Sequence, residues 1–208
     1  MKLDKRMSAI LAEIPKGKNL ADIGADHGYI SINYAINNPN NLVVASDISK
    51  KSIEKAYLSA KKLHLDNYIT TVGDGLLPIQ HYDIDVILIS GMGGEEIIKI
   101  INNEKKYPFY ILSPQKNTDK VRQCLSENNI CPIKDYKVLS DGKFYDIMVC
   151  KQGEYNPSEY ELLFGCGSGE DFCEYKKFMN KNLSDLTKKV SDNEKVVLIN
   201  KLNLLNSK

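Results

Sequence analysis

The chain has 208 residues, of which 42% are hydrophobic and 26% charged; 28 basic and 27 acidic side chains leave a formal net charge of +1. That composition excludes global disorder and suits one full domain with a smaller appendage, while the near-neutral total neither implies nor excludes nucleic acid. Apolar runs such as 86–89 are far shorter than the about 20 residues a membrane span requires, Met1 to Arg6 lack the apolar core of a secretory signal, and five cysteines without a Cys-x-x-Cys pair read as reduced thiols of a cytoplasmic protein without a metal site.

Residues 3–14 place Leu3, Met7, Ile10, Leu11 and Ile14 at helical spacing, and Pro15-Lys16-Gly17 ends that helix. Residues 20–24 read as a short apolar run, the first strand, ending in a turn, 29–36 as a helix stopped by Asn37-Asn38-Pro39, and 42–47 as a second strand. A helix over 50–64 carries Ile53, Ala56, Tyr57, Ala60 and Leu63 on one face. Strands follow at 68–72, 85–89 and 109–112, with helices at 95–103 and 119–128. Alternation of this kind, with strands that are nearly continuous apolar runs, predicts an α/β fold whose parallel sheet is covered on both faces. Two more strands, around 136–139 and 144–149, are separated by Asp141-Gly142 and suit an antiparallel pair closing one edge of the sheet.

The composition changes after Cys150: residues 151–169 carry four glycines and Pro157. From about 171 a helical pattern returns in Tyr175, Met179, Leu183, Leu186 and Val190, and Ser191-Asp192-Asn193-Glu194 fits a capping box opening a last helix with Val197, Leu198, Leu202 and Leu205. The pattern allows two readings: an antiparallel helix pair forming a small helical, coiled-coil domain over 153–208 beside a domain of 1–152, or helices packed back on the sheet.

The chemistry concentrates at the carboxyl ends of the strands, where doubly wound sheets bind ligands. Asp22-Ile23-Gly24-Ala25-Asp26-His27-Gly28 lies where the first strand turns into a helix, and glycines there allow close backbone approach. The spacing of Asp22, Gly24, Asp26 and Gly28 resembles the glycine-rich loop of methyltransferases that use S-adenosylmethionine. A dinucleotide fingerprint would need a small residue at 26, and a carboxylate there repels a pyrophosphate; a cationic sulfonium and ammonium suit it. Asp26 in place of a small residue carries a steric and desolvation cost that function should offset. Asp47, ending the second strand, is placed to accept bonds from ribose hydroxyls, and Asp74, after the third, from an adenine amino group. Ser90-Gly91-Met92-Gly93-Gly94 ends the fourth strand with a glycine loop against which a flat base can lie. His27 and Tyr29 flank the first loop and are candidates to bond or stack on a base.

These motifs in order, 22–29, 46–48, 73–76 and 91–94, resemble the bacterial tRNA (adenine-22-N1)-methyltransferase family. Further likenesses are Lys5-Arg6-Met7, Leu112-Ser113-Pro114-Gln115 with Arg122 seven residues on, Asp141 to Asp146, and Leu162 to Gly165. The resemblance implies a Rossmann-like class I methyltransferase domain, a C-terminal helical domain, S-adenosylmethionine as methyl donor and tRNA as substrate. Residue by residue it implies cofactor contacts at Asp22, Gly24, Gly28, Asp47, Ile48, Asp74, Gly75, Gly91 and Met92. Substrate contacts fall at Arg6, Tyr29, Gly93 and Gly94, and catalytic roles at Asp26, His27 and Gln115. Ser113-Pro114-Gln115 stands where the family often has Gln-Pro-Asn, and Gly28 where alanine is common. Residues 171–208 hold eight lysines against five acids, and 1–16 four basic groups against two acids, so two modest basic regions are available for RNA. The alternative reading is an S-adenosylmethionine-dependent methyltransferase acting on a small molecule or a protein.

Overall fold

In a computed structural model, which describes residues 2–102 and 105–207, helix α1 (Lys5–Glu13) opens the chain, with Asp4 capping it by accepting the Met7 N–H at 2.6 Å. Strand and helix then alternate: β1 (Leu20–Ile23), α2 (Tyr29–Asn37), β2 (Val43–Asp47), α3 (Lys50–Lys62), β3 (Tyr68–Val72), β4 (Val86–Ser90), α4 (Gly94–Ile101), β5 (Phe109–Ser113) and α5 (Thr118–Glu127). Strands β6 (Ile130–Ser140) and β7 (Lys143–Gln152) form a hairpin over Asp141-Gly142, and α6 (Glu159–Phe164), α7 (Phe172–Thr187) and α8 (Asp192–Leu205) follow. All strands join one sheet in the order β3-β2-β1-β4-β5-β7-β6; the first five are parallel, and β7 inserts antiparallel between β5 and β6. Position 103, expected to end a helix, lies outside the described residues.

Alternation along β1 sorts the two layers. Leu20 packs with Ile10 of α1, with Ile14 just beyond it and with Ile30 and Tyr34 of α2, while Ala21 and Ile23 pack with Ile97 and Ile101 of α4 and Val121 and Leu125 of α5. Asp22 therefore belongs to the face covered by α2. On α3 the buried row is Ile53, Ala56 and Ala60, of which Ile53 and the small Ala56 pack with Ala45 of β2. Tyr57 and Leu63, expected on that face, are exposed, and the Lys61 ammonium lies 5.8 Å above the Tyr57 ring.

The hairpin strands run well beyond 136–139 and 144–149. Their apolar alternation is interrupted by Asp135, Lys137 and Asp146, yet all three are buried. Arg122, a fully buried residue of α5, explains this: its Nε and Nη2 donate to Asp135 Oδ2 and Oδ1 at 2.7 and 2.9 Å, and Nη2 also donates to Asp146, which accepts from Lys137 as well. Two cations and two anions compensate one another away from water. Burial alone would raise the Asp146 carboxyl, but Lys137 and Arg122 outweigh it and hold it below the ordinary range. Strand β6 is a sheet edge, and Pro132, with a register shift beside it, is tolerated there.

Helix α6 was hidden in the glycine-rich stretch although Ser158 and Glu161 form a capping box, the same signature that opens α8 at Ser191 and Glu194. Helices α7 and α8 form a hairpin whose apolar side, Tyr175, Leu183 and Leu205, packs on Tyr160 and Phe164 of α6 and on Phe144 of β7. The expected C-terminal helices are present, and their apolar side also meets β7. Leu186 and Val197, expected to be covered, are exposed. Residues 153–171, which follow the expected boundary, are bonded to α1, α5 and β6. Leu162 O accepts from Arg122 at 3.1 Å, Tyr155 O accepts from Ser126 at 2.6 Å, and Asp171 accepts from Lys5 and from the Leu139 N–H, both at 2.7 Å.

Candidate active site

β1 and β4 are neighbours that lead into helices on opposite faces, so a crevice opens between their carboxyl ends. A cleft of about 270 Å³ lies there. Strand β1 supplies Asp22, the loop after it Gly24, Asp26 and His27, and the start of α2 Tyr29; Arg6 comes from α1, Gly91 from just beyond β4 and Gln115 from beyond β5. Met7, Ala25, Ile30 and Ser90 also line it, apolar or small residues that carry no signal of their own.

Backbone conformation dictates much of the first loop. Gly24 and Gly28 have φ of +71° and +66°. A Cβ on Gly28 would run into the Tyr68 hydroxyl, which gives this chain a reason for glycine where alanine is common. Asp26 has φ of +48°, a left-handed conformation that Asp and Asn adopt more readily than other side chains. Its side chain is 59% exposed, so the desolvation cost expected at this position does not arise.

Asp22 is only 4% exposed and accepts from the Ser31 N–H and hydroxyl. The Ser31 hydroxyl in turn lies 3.0 Å from the Tyr68 hydroxyl. Burial pushes the Asp22 carboxyl up to about 6; the Ser31 bonds oppose this and the nearby Asp47 charge adds to it. Ser31 and Tyr68 were missed because each is a residue type common on any helix or strand.

Asp47 reaches across to the first loop. Its Oδ2 accepts the Asp26 N–H at 3.1 Å and its Oδ1 the Ser49 N–H at 2.8 Å, while Ser49 itself caps α3. Ile48, next in sequence, is 73% exposed. Asp74 and Gly75 lie apart from the cleft, in a neighbouring recess of about 330 Å³ with Leu77, Glu96 and Lys99.

The glycine loop after β4 divides into two parts. Gly91, with φ of +81°, has open space where a Cβ would be. The Met92 methyl sits where a Cβ on Gly24 would fall, and Met92 O accepts the Gln115 N–H at 3.0 Å. Gly93 and Gly94 do not line the cleft. The Gly94 N–H donates to Lys116 O at 3.0 Å, and a Cβ there would come within 2.7 Å of Lys116 O and Asn117 O, so this glycine lets two loops approach.

The His27 and Tyr29 rings are parallel, 5.3 Å apart with 3° between planes. His27 Nε2 lies 3.5 Å from Asp26 Oδ2 and 3.3 Å from Lys55 Nζ. Lys55, one of several lysines on α3, carried no distinguishing sequence signal. Among the described residues no group of three or more His, Cys, Asp or Glu is arranged to hold a metal, and no helix is long and apolar enough to cross a membrane.

Comparison with known proteins matches residues 3–148 to the methyltransferase domain family. The tRNA (adenine(22)-N(1))-methyltransferase of Bacillus subtilis (strain 168) is 30% identical over 159 residues, which are 74% of this chain and 67% of the relative. Two solved structures share the fold. M. capricolum TrmK in complex with S-adenosyl-homocysteine has a TM-score of 0.87 and 22% identity, over 99% of this chain and 96% of that one. The B. subtilis m1A22 tRNA methyltransferase TrmK has a TM-score of 0.85 and 24% identity, over 98% and 97%.

Proposed function

The chain belongs to the tRNA (adenine(22)-N(1))-methyltransferase family, and on that premise we propose that it transfers a methyl group from S-adenosylmethionine to N1 of adenine 22 of tRNA in the bacterial cytoplasm. The observation that carries this reading is the meeting of Asp26, His27, Tyr29 and Gln115 in one cleft at the strand-order switch point.

The residues present fit the cofactor. Each Asp47 oxygen is engaged by one loop N–H and retains acceptor capacity for a ribose hydroxyl. Ile48 offers an uncovered apolar side chain beside it, Gly91 leaves open space, and Asp22 and Asp26 supply negative charge for a cationic ligand. In this reading Asp22, Gly24, Gly28, Asp47, Ile48, Asp74, Gly75, Gly91 and Met92 form the cofactor side, Gly28 and Met92 by shaping the loop. Arg6, Tyr29, Gly93 and Gly94 serve the substrate, Gly94 by letting two loops pack closely.

When bound, the cofactor supplies an electrophilic methyl group on a sulfonium. Adenine N1 has an in-plane lone pair, so the protein need not remove a proton before attack. Its task is to place N1 and to receive the positive charge that develops on the base. Asp26, exposed to the cleft on a backbone held by Asp47, is positioned for the charge. The parallel His27 and Tyr29 rings offer a stacking surface, and the Gln115 amide, fixed through its backbone to the Met92 loop, can orient the base edge. A paired adenine must first leave its stack, at a cost of about a few kcal/mol. The test is to react purified protein with tRNA and labelled cofactor, digest the product and map the label. The expected product is 1-methyladenosine at position 22; label on another atom or nucleotide, or none, overturns the assignment.

A further inference from the structure

We infer that Tyr145 is a positioning residue that holds the Arg6 guanidinium in place as the cleft's receptor for an oxyanion. Arg6 Cζ lies 4.9 Å above the centroid of the Tyr145 ring. Tyr145 is two residues from Ile147 on β7, on the face where Ile147 packs with Ile10 of α1. The turn of α1 around Arg6 is fixed on both sides, by the Asp4 cap on Met7 and by the Lys5 ion pair to Asp171. The backbone is thus set, and the ring sets the side chain.

The ring stabilises the cation but accepts no ordinary hydrogen bond. Arg6 Nη1 is buried without a hydrogen-bond partner, and among the described residues no carboxylate is ion-paired with Arg6. Arg6 is also the one permanently charged cation among the described residues lining the cleft, across from Asp22 and Asp26. An anionic group entering there is repelled by the two acids and has a planar donor fork to receive it.

The identity of the anion rests on the function proposed above: the carboxylate of the cofactor's methionine moiety or a phosphate of the tRNA strand, one chemistry from two sources. The experiment measures affinity for S-adenosylhomocysteine by calorimetry and for a tRNA transcript by filter binding. The proteins are wild type, Tyr145→Leu, Tyr145→Phe, Arg6→Gln and the Tyr145→Leu/Arg6→Gln double variant, each checked by thermal melting. Tyr145→Leu is expected to weaken one ligand by roughly three- to thirtyfold, the range of a cation–π contact. Tyr145→Phe keeps the ring and should bind as wild type, and Tyr145→Leu should add nothing once Arg6 is replaced. Loss for S-adenosylhomocysteine assigns the carboxylate; loss for tRNA alone assigns the phosphate. Should Tyr145→Leu not fold, Tyr145→Met keeps the volume and reads the same quantities. Unchanged affinity for both ligands in a folded variant, or an equal loss with and without Arg6, overturns the inference. A wild-type chain that binds neither ligand overturns the functional reading itself, and this inference with it.

Discussion

Asp47 and Asp26 are joined across two strand ends: the carboxylate that closes β2 accepts the backbone N–H of the residue at the tip of the β1 loop, at 3.1 Å. The acid expected to bind ribose therefore also braces the loop that carries the acid expected to face the base. Asp47→Ala should weaken S-adenosylhomocysteine binding by about 2–4 kcal/mol, as for other truncated charged hydrogen bonds. Calorimetry on the folded variant checks this, and unchanged affinity removes Asp47 from the site.

Asp26→Asn separates charge from conformation. Asparagine tolerates the left-handed backbone at φ +48°, so the loop should keep its shape while the carboxylate is lost. If Asp26 stabilises charge on the base, kcat should fall by about 10²–10³ with cofactor affinity nearly unchanged. A raised cofactor KM at normal kcat would instead place the carboxylate on the cofactor, and normal values of both would leave it a turn residue.

Asp22 makes stability depend on pH. Its carboxyl sits at about 6 in the folded chain against an ordinary 3.8, so folding binds that proton more tightly. The group favours folding fully below about pH 4 and loses that contribution as pH rises through about 6. At about pH 8 the ionised buried form costs roughly 3 kcal/mol relative to the neutral one. Asp22→Asn should therefore gain in Tm relative to wild type between about pH 4 and about pH 8. A Tm difference that does not move in that direction would show Asp22 titrating as an exposed carboxyl.

The exposed lysines of α7 test RNA binding by the C-terminal hairpin. Lys177 and Lys181 are exposed along α7, and Lys189 is exposed just beyond its end. If they meet phosphates, replacing all three with Gln should weaken tRNA binding and reduce the slope of log affinity against log salt by about 2–3 units, with S-adenosylhomocysteine binding unchanged. An unaltered salt slope would leave these lysines as a solvated face.

The strand–helix alternation and the acids at strand ends were legible because both are local: period, turn residues and spacing lie along a few consecutive positions. The hairpin was underestimated because Asp135, Lys137 and Asp146 look like surface residues until Arg122 is brought beside them from 13 to 24 positions away. Ser31, Tyr68 and Lys55 joined the site through the sheet's crossovers, which no local pattern records. Gly94 reads like a ligand-facing glycine, and its lack of a side chain also lets the loop approach the Lys116 and Asn117 carbonyls, which lie far along the sequence.

Removing Arg122 should be costly. Arg122→Met leaves Asp135 without its bidentate partner and Asp146 with Lys137 alone, and should destabilise the chain by about 3–5 kcal/mol. Urea denaturation measures this; a loss below about 1 kcal/mol would mean that water or the helical hairpin readily replaces the guanidinium.

Among the described residues the acceptors of the Arg122 guanidinium all lie later in the chain, the carboxylates 13 and 24 residues on and the Leu162 carbonyl 40 residues on. On a translating ribosome α5 therefore emerges with its central side chain still needing water. At about 5–20 residues per second the last acceptor arrives about 2–8 s after Arg122 itself. Until then the guanidinium keeps part of its hydration, and full packing of α5 against the β6–β7 hairpin and α6 is expected to wait for the last acceptor. The β6–β7 hairpin, α5 and α6 are therefore expected to close on one another only after Leu162 has been made.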